Sequence, residues 1–357
     1  MRVLFIVPHS IEGPSSRFRV YQYLPYLRAQ RVEVAVRPFM SSKFVQLAFS
    51  PERLLMKACY FFWSTLRRCV DAAGGRRWDI VYIHRDAFPF GPPIFERFFR
   101  RLGCRLIFDF DDAIFLHSRI YANFWDRFKN LEKPAEVARI AHHVVVGNDY
   151  LREYALHYSP HVTTLPTVVD TDLYTPRSQA SMTQTLTVGW IGTPSSARYI
   201  EWLAPALRRV AARTDVRLHC VGISPFLLTG VSAHFTPWNL ASEVPDLKNF
   251  DIGVMPLFDD DEARGKCGLK LLQYMAMKIP AVASPVGVNT EILQNNANGL
   301  LASQESEWVD ALTRLATDPN LRSRLGGAGR ATVEEGYSLR VMAPRLLSIL
   351  EQVHSYR

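Results

Sequence analysis

Two lysines and two glycines stand close together in the segment 264–293. Lys266 and Lys270 lie on either side of Gly268, and Gly287 follows a short apolar run that is typical of a β-strand. Glycine lets the backbone approach a ligand closely, and ammonium groups attract phosphate oxygens. Lys270 also falls in the first turn of a predicted helix, where the helix dipole favours an anion. The segment therefore predicts a binding site for phosphate groups.

Two further side chains of the same segment can bond to hydroxyl groups. Gln273 lies about one turn after Lys270 on the predicted helix, and Glu291 stands at the head of the next helix. An amide and a carboxylate are suitable partners for the hydroxyls of a sugar. Together with the two cations, they favour a sugar attached to a diphosphate as the ligand of this segment.

A second candidate site follows the predicted strand 186–192, which ends at Gly192. Thr193 and the serines after it can cap the next helix, whose first backbone N–H groups then point outward. Arg198, six residues beyond the glycine, can reach a phosphate bound there. The alternative is an ordinary helix cap beside a surface arginine.

The loop 8–19 after the first predicted strand has a similar composition. Gly13 and the serines after it are typical of a loop that binds an anion, and Arg17 and Arg19 stand at the start of the following helix. The loop lacks the GxGxxG pattern, and arginines at a helix start are often solvated surface charges. A ligand role for Gly13 and Arg17 and a purely structural role both stay open.

Acidic residues follow a strand in the first half of the chain. Asp111 and Asp112 lie at its carboxyl end, with Asp109 in the strand itself. Ligands of parallel sheets bind at this edge, so we interpret Asp111 and Asp112 as catalytic or ligand-binding carboxylates, with a metal site as the weaker alternative. The other acidic run, 259–262, has no spaced partner and favours a solvated loop, although Glu262 lies near the lysines.

Alternating apolar runs and helical periodicities position these residues. In the first half, strands are predicted at 3–7, 32–39, 79–84, 104–110 and 142–148, and helices at 18–30, 91–101 and 121–140. After a stretch rich in Ser, Thr and Pro, strands are predicted at 186–192, 216–222, 251–257 and 280–285, and helices at 197–213 and 267–278. Short apolar runs that end in polar residues or glycine are typical of parallel sheets covered on both faces.

The chain is therefore predicted to form two α/β domains. We expect an N-terminal Rossmann-like domain over 1–175, a linker over 176–185, a C-terminal Rossmann-like domain over 186–335 and a C-terminal helix over 336–357 that packs back towards the first domain. A length of 357 residues agrees with two domains of ordinary size.

Composition excludes several classes of protein. Hydrophobic residues make up 48% and charged residues 21%, which argues against wholesale disorder and against a multi-span membrane protein. The start resembles a strand rather than a secretory leader, so we expect a cytoplasmic protein. Five scattered cysteines without a CxxC pair favour reduced thiols over disulfides or a zinc site. The net charge of +8 is not arranged with exposed aromatics as in a nucleic-acid-binding module.

Three separated motifs occur in order along the chain. Pro-Thr-Val-Val-Asp stands at 166–170, Gln-Tyr-Met-Ala at 273–276 is followed by Pro-Ala-Val-Ala at 280–283, and Asn-Gly-Leu-Leu stands at 298–301. In this order they resemble the group 1 (family 4) glycosyltransferases over nearly the whole chain. The resemblance implies the GT-B fold, with two Rossmann-like parallel-sheet domains facing a cleft. It also implies an acceptor on the first domain and a nucleotide sugar on the second.

Several positions depart from the family pattern. The paired glutamates of the family fall on Gly265 and Gln273, its arginine after the strand-end glycine falls on Thr193, and its partner lysine falls on Arg198. Trp238 falls where relatives shape the nucleobase pocket, so it either stacks on a base or holds a loop as a buried residue. The candidate catalytic residues are Asp111, Asp112 and Lys270, and the candidate donor-binding residues are Gly13, Arg17, Gly192, Thr193, Arg198, Trp238, Lys266, Gly268, Lys270, Gln273, Gly287 and Glu291.

The resemblance implies a retaining hexosyltransferase that moves a sugar from a nucleotide-diphosphate sugar to a glycan or lipid-linked acceptor. It implies no metal or other cofactor, because fixed cations and helix dipoles stabilise the leaving diphosphate. Synthesis of a cell-surface polysaccharide or glycolipid is the expected role. Two alternatives stay open: a nucleotide-sugar 2-epimerase of the same fold, and a non-catalytic relative that only binds a nucleotide sugar.

The segment 50–70 predicts an unusually apolar helix. Ser50 and Pro51 are typical of a helix start, and residues 43–77 carry seven basic and two acidic residues. Aromatic bulk beside basic residues is typical of a helix that lies on an anionic membrane, here the inner face of the cell membrane. A core helix of the first domain is the alternative. The polar residues that form one narrow stripe on the helix are Lys57, Ser64 and Arg68.

Overall fold

The computed structural model describes residues 1–48, 53–117, 128–177 and 185–356, and the chain forms two compact units. The first unit comprises Met1–Thr167 and Met342–Arg357, and the second comprises Val168–Val341. The second unit thus begins before the predicted linker, of which residues 178–184 lie outside the described residues. Ser50 and Pro51, the predicted start of the apolar helix, also lie outside them.

The first unit contains a parallel sheet of six strands in the order β2-β1-β3-β4-β5-β6. Its strands are β1 (Arg2–His9), β2 (Glu33–Met40), β3 (Ile80–His84), β4 (Arg105–Phe110), β5 (His143–Val146) and β6 (Val162–Thr164). Its helices before residue 167 are α1 (Pro14–Arg19), α2 (Leu24–Ala29), α3 (Ser42–Ala48), α4 (Leu54–Ala73), α5 (Ile94–Arg101), α6 (Lys133–Ile140) and α7 (Asp149–Leu156). Strands β3 and β5 are buried along their whole length, as expected for a sheet covered on both faces.

The second unit contains another parallel sheet of six strands, in the order β12-β11-β10-β7-β8-β9. Its strands are β7 (Leu186–Ile191), β8 (Val216–Val221), β9 (Ser232–Thr236), β10 (Ile252–Met255), β11 (Ala281–Ala283) and β12 (Leu300–Leu301). The helices that follow β7 are α8 (Ala197–Trp202), α9 (Ala204–Ala211), α10 (Glu243–Leu247), α11 (Asp261–Arg264), α12 (Leu269–Ala276), α13 (Asn289–Ile292), α14 (Glu305–Thr317), α15 (Pro319–Gly336) and α16 (Leu339–Ser355).

Prolines divide two of the predicted helices. The helix predicted at 18–30 is split into α1, a short 3-10 helix and α2, which has Pro25 in its first turn. The helix predicted at 197–213 is split into α8 and α9, with Pro205 in the first turn of α9. Proline lacks the N–H that would continue a preceding helix, so each of them fits best at the start of a new one.

Helix α16 crosses the boundary between the units, since residues from Met342 onward belong to the first. Its end is fixed there by Arg105 of β4, whose guanidinium Nε donates to the carbonyl of Tyr356 at 3.0 Å. All five cysteines are free thiols, of which Cys59 and Cys69 are exposed.

Candidate functional site

Both sheets contain a point at which the strand order reverses, and the candidate residues lie beside it. In the second unit β7 pairs with β8 on one side and with β10 on the other. In the first unit β1 pairs with β2 on one side and with β3 on the other. Open parallel sheets bind ligands at the carboxyl ends of such strands, because the loops diverge there and leave a crevice. Each unit therefore has one preferred position for a ligand.

Lys270 lies in the first turn of α12, which follows β10 in the second unit. Gly268 precedes this helix with a φ of 69°, a backbone conformation that strains any residue with a Cβ. The Lys270 ammonium lies 5.1 Å from the centre of the Trp190 indole ring, and no described carboxylate pairs with it. Burial, with a further contribution from Lys266, lowers the pKa of Lys270 to about 7. An unpaired, half-buried ammonium at a helix start is well suited to bind an anion.

The other two predicted cations are already paired with a carboxylate. The Arg198 guanidinium lies 3.6 Å from Glu262 and 3.7 Å from Asp260, and the Lys266 ammonium lies 3.9 Å from Glu262. Asp260 also caps α11 by accepting a bond from the Ala263 N–H, so part of the acidic run is helical rather than a loop. Asp259 and Asp261 are exposed, as expected. Glu262 instead holds Arg198 and Lys266 side by side near the predicted phosphate site.

Gln273 lies in a buried group of polar side chains. Its amide nitrogen donates to the Glu243 carboxylate at 3.1 Å and to the Tyr174 hydroxyl at 3.3 Å. The Trp238 indole N–H donates to the other Glu243 oxygen at 2.5 Å, and Tyr174 donates to the same carboxylate. Gln273 therefore lacks the negative charge of the family's glutamate, but it contacts a buried carboxylate supplied by α10. The half-buried Trp238 ring is fixed in place through this bond.

The remaining predicted residues of the second unit lie in loops or short helices. Gly192 follows β7, and the Thr193 N–H donates to the Ser196 hydroxyl, which gives the helix cap that we expected. Gly287 lies between β11 and α13, and Glu291 is exposed on α13. These positions are all at or near the carboxyl edge of β7 and β11, where the sequence placed them.

Asp111 is held by two elements of the first unit. The Ser15 hydroxyl, at the start of α1, lies 2.7 Å from both carboxylate oxygens, and the Arg85 Nε donates to one of them at 2.8 Å. Burial alone would raise the pKa of Asp111, but the charges of Arg85, His84 and Arg19 outweigh it and hold the pKa well below its usual range. Asp111 is thus a fixed, ionised carboxylate at the strand end.

Asp112 is more accessible than its neighbour. Its side chain is 34% exposed, and its carboxylate lies 3.6 Å from the Arg85 guanidinium. Asp109, by contrast, is fully buried, and its carboxylate accepts bonds from Arg19 and from His84. Of the three predicted carboxylates, Asp111 and Asp112 can therefore meet a ligand, whereas Asp109 is structural.

The predicted loop at Gly13 and Arg17 is not a solvated surface. Gly13 is buried and caps α1, and Arg17 is only 9% exposed, with its guanidinium 4.9 Å from the centre of the Phe18 ring. Arg19 is 2% exposed. The alternative that these arginines are solvated surface charges is therefore wrong.

Comparison with known families assigns the second unit. Residues 185–318 match the family described as glycosyl transferases group 1. The second unit therefore contains a region that is similar to the group 1 glycosyltransferases. The match covers the loops after β7, β10 and β11, which carry most of the predicted donor-binding residues of the second unit.

Solved structures extend the similarity of fold to the whole chain. Sucrose-phosphate synthase from Thermosynechococcus elongatus aligns with a TM-score of 0.69 at 16% identity, covering 99% of this chain and 98% of that one. A glycosyltransferase from Rickettsia africae ESF-5 aligns with a TM-score of 0.70 at 14% identity, covering 100% of this chain and 99% of that one. HepE from Anabaena, in complex with UDP-glucose, aligns with a TM-score of 0.69 at 14% identity, covering 99% of this chain and 100% of that one. No curated protein matches the sequence. The predicted GT-B fold of two Rossmann-like domains is confirmed.

Four polar residues of these sites were not predicted from the sequence. His84 and Arg85 end the apolar strand β3, so the rule that selected Asp111 could have selected them as well. Ser15 was visible only as a turn former. Glu243 stands at the start of a short helix after a weakly apolar strand, and no motif distinguishes it.

Proposed function

We propose that the protein is a retaining hexosyltransferase that moves a sugar from a nucleotide-diphosphate sugar to an acceptor hydroxyl. The observation that carries the proposal is the Lys270 ammonium, which has no carboxylate partner among the described residues. It stands at a helix start in the region that matches the group 1 glycosyltransferases. HepE, which shares the fold, has been solved with UDP-glucose. A cell-surface polysaccharide or glycolipid is the product class that we propose.

The basic residues of the second unit would stabilise the leaving diphosphate. Negative charge builds on it as the glycosidic bond breaks, and fixed cations lower the energy of that transition state without reorganising. Lys270 would supply the first cation. Arg198 and Lys266, held side by side by Glu262, would supply two more. A retaining front-face reaction needs no strong protein base, because the leaving phosphate can accept the proton of the acceptor.

Asp111 and Asp112 would act on the acceptor. A carboxylate whose pKa is far below neutral is a poor general base but a good hydrogen-bond acceptor for a sugar hydroxyl. Asp111 would hold that hydroxyl, and the more exposed Asp112 would add a second contact. Gln273 and Glu291 would contact hydroxyls of the nucleotide sugar, and Trp238 would stack on its base.

A screen of nucleotide sugars for thermal stabilisation tests the proposal without knowledge of the acceptor, since a ligand of the native state raises the melting temperature. The stabilising compound is then incubated with glycan and lipid-linked acceptors, and released nucleotide and transferred sugar are measured. Acceptor-dependent transfer is expected. Release of nucleotide with an altered sugar and no acceptor would favour the epimerase, and tight binding without turnover would favour the non-catalytic relative.

Binding of the nucleotide sugar should take up a proton at Lys270. The free ammonium has a pKa of about 7, and a neighbouring diphosphate raises it, so above pH 7 the lysine is neutral when free and charged when bound. Affinity should therefore fall about tenfold per pH unit from pH 7 to 9 and change little below pH 6. Titration calorimetry at pH 8 in buffers of different ionisation enthalpy measures the uptake, and Lys270→Arg should abolish it.

Transfer should not require a divalent metal ion. The carboxylate of Asp111 is compensated by Arg85, and the diphosphate would be compensated by side-chain cations. Treatment with EDTA should leave the rate of sugar transfer within about twofold, as expected where fixed cations supply the electrostatic stabilisation. If EDTA abolishes turnover and a divalent ion restores it, Asp111 and Asp112 are metal ligands and this part of the proposal is wrong.

We also propose that the first unit binds an anionic membrane surface through α4. This helix turns its apolar side to solvent: Leu55 is 84% exposed and Phe62 70%, whereas Arg68 of the polar stripe is buried. Arg68 donates to the backbone carbonyls of Ala87 and Arg37. The exposed side of α4 therefore does not lie in the core of the first unit, contrary to the alternative of a core helix. The exposed apolar residues of α4 are Leu54, Leu55, Met56, Phe62, Trp63, Leu66 and Val70.

The charges around this apolar side favour a membrane with anionic lipids. Arg67 is exposed on the same helix, and Arg76 and Arg77 are exposed just beyond it. Asp71, the acidic residue of α4, faces inward and pairs with Arg37 and Arg68. No described helix is long and apolar enough to cross a membrane. Exposed aromatic and aliphatic side chains beside exposed arginines are typical of a helix that lies in the membrane interface.

The protein should sediment with liposomes that contain anionic lipid, and salt should weaken the binding. Each exposed arginine near the surface contributes about 1 kcal/mol, so reversing Arg67 and Arg76 to Glu together should lower affinity by more than about tenfold. Arg68 is not a suitable target, because it is buried. Arg213→Glu, exposed on the second unit, is the matched control. Equal recovery in the supernatant with and without anionic liposomes at low salt would contradict membrane binding.

A further inference from the structure

A chain of short hydrogen bonds joins Asp109 to Asp111 through His84 and Ser15. The His84 Nδ1 lies 2.7 Å from an Asp109 oxygen, and its Nε2 lies 2.7 Å from the Ser15 hydroxyl. The same hydroxyl lies 2.7 Å from each oxygen of Asp111. Asp109 and His84 are fully buried, so water does not take over any of the bonds between them.

The directions of these hydrogen bonds determine the charge of His84. The Asp109 carboxylate only accepts, so the Nδ1 must carry a proton. The Ser15 hydroxyl has a single proton, and its close contact with both oxygens of ionised Asp111 requires that this proton point at Asp111. Ser15 must then accept a bond from His84, so the Nε2 carries a proton too. A ring that donates from both nitrogens is an imidazolium.

The charges packed around His84 agree with this assignment. Three carboxylates lie in the group, those of Asp109, Asp111 and Asp112, and two guanidinium groups face them. His9 lies nearby, but burial, together with the charges of Arg85 and His84, lowers its pKa to about 4, so it is neutral at pH 7. An imidazolium at His84 would thus lie between the carboxylates of Asp109 and Asp111, which favour the charged form. The charged or titratable groups that face His84 are Asp109, Asp111, Asp112, Arg19, Arg85 and His9.

The distances among Ser15, His84 and Asp109 resemble a Ser–His–Asp nucleophilic triad, but the position of Asp111 argues against a nucleophilic serine. A nucleophilic serine must give its proton to a neutral histidine. Ser15 instead directs its proton to Asp111, and an anion at 2.7 Å would oppose the negative charge that develops during acyl transfer. The arrangement is suited to hold Asp111 rather than to attack a substrate.

We propose that His84 is held as a buried imidazolium and that His84 and Ser15 are positioning residues that fix Asp111 as an ionised, oriented acceptor-binding carboxylate. The proposal rests on the proposed function, since it names the groups that act through Asp111. Ser15 also connects α1 to the end of β4, so the orientation of Asp111 depends on two βα loops of the first unit.

The charge of His84 can be measured without any substrate. NMR of the full-length protein with nitrogen-15-labelled histidine should show one ring in which both nitrogens are protonated at pH 7. That signal should be missing in the His84→Gln variant, which assigns it. A single protonated nitrogen on His84 at pH 7 would overturn the proposal, whether or not the protein transfers sugar.

The positioning role is tested by kinetics with the donor and acceptor found for the wild type. Ser15→Ala should lower kcat about 10- to 100-fold with little change in donor affinity, since it removes one hydrogen bond to a charged group. Ser15→Thr, which keeps the hydroxyl, should restore most of the rate. Combined with Asp111→Asn, Ser15→Ala should cause little further loss, because the two residues act as a unit.

Three outcomes would count against the positioning role. They are a wild-type rate in Ser15→Ala, additive losses in the double variant, and a serine-dependent ester hydrolysis that Asp111→Asn leaves intact. A wild type that transfers no sugar from any nucleotide sugar would contradict the proposed function instead, and the NMR result would still decide the charge of His84.

Discussion

Replacing Lys270 by alanine should lower the rate of sugar transfer by about 30- to 900-fold, which corresponds to about 2–4 kcal/mol of lost transition-state stabilisation. The effect is large because Lys270 lies at the start of α12 without a carboxylate partner among the described residues, so its whole charge is available to the diphosphate. Arg198 and Lys266 share Glu262, and we expect smaller losses when either is replaced. The ratio kcat/KM, measured with a saturating acceptor, reports the loss.

The fold of the Lys270→Ala variant should remain intact. Removing a half-buried ammonium whose pKa burial has already lowered relieves a desolvation cost, so the melting temperature should not fall. Lys248→Ala, at the end of α10 in the same unit, is the matched control and should keep wild-type transfer. Wild-type activity in a folded Lys270→Ala variant would show that another group compensates the diphosphate.

The strands that carry the candidate sites could be predicted from the sequence because they are buried on both faces. Such strands must be continuous apolar runs, and 79–84 and 104–110 differ from β3 and β4 by a single residue at the start. The missed strands β6, β9 and β12 are short or only partly buried, so their composition carries little signal. Breaks within helices were missed where proline began a second helix.

The candidate site could be predicted from the sequence only where its residues follow the carboxyl ends of predicted strands. That rule placed Asp111, Gly192 and Lys270 correctly at carboxyl edges. Partners that reach a site across the sheet could not be predicted, because sequence separation hides them: Ser15 and Asp111 are 96 residues apart. The state of Arg198 was missed for the same reason, since its carboxylates lie on α11.

Replacing Arg19 by methionine should lower the free energy of unfolding of the first unit by about 3–5 kcal/mol. Arg19 is 2% exposed and pairs with the fully buried Asp109, and it also donates to the carbonyl of Leu165 at 2.5 Å. Without the guanidinium, the buried Asp109 carboxylate would lose its ion pair and keep its bond to His84. Leaving one charge of such a pair uncompensated costs far more than the pair itself contributes.

An exposed pair in the same unit provides the matched control. Arg2 and Asp79 form an ion pair at 3.2 Å whose arginine side chain is 48% exposed, so Arg2→Met should cost less than about 1 kcal/mol. Urea unfolding of both variants measures the difference. Arg19→Met combined with Asp109→Asn should recover part of the loss, because no buried carboxylate remains to be desolvated and the amide oxygen can still accept the bond from His84. Equal midpoints for Arg19→Met and Arg2→Met would show that water reaches Asp109 and that its buried charges do not fix the end of β4.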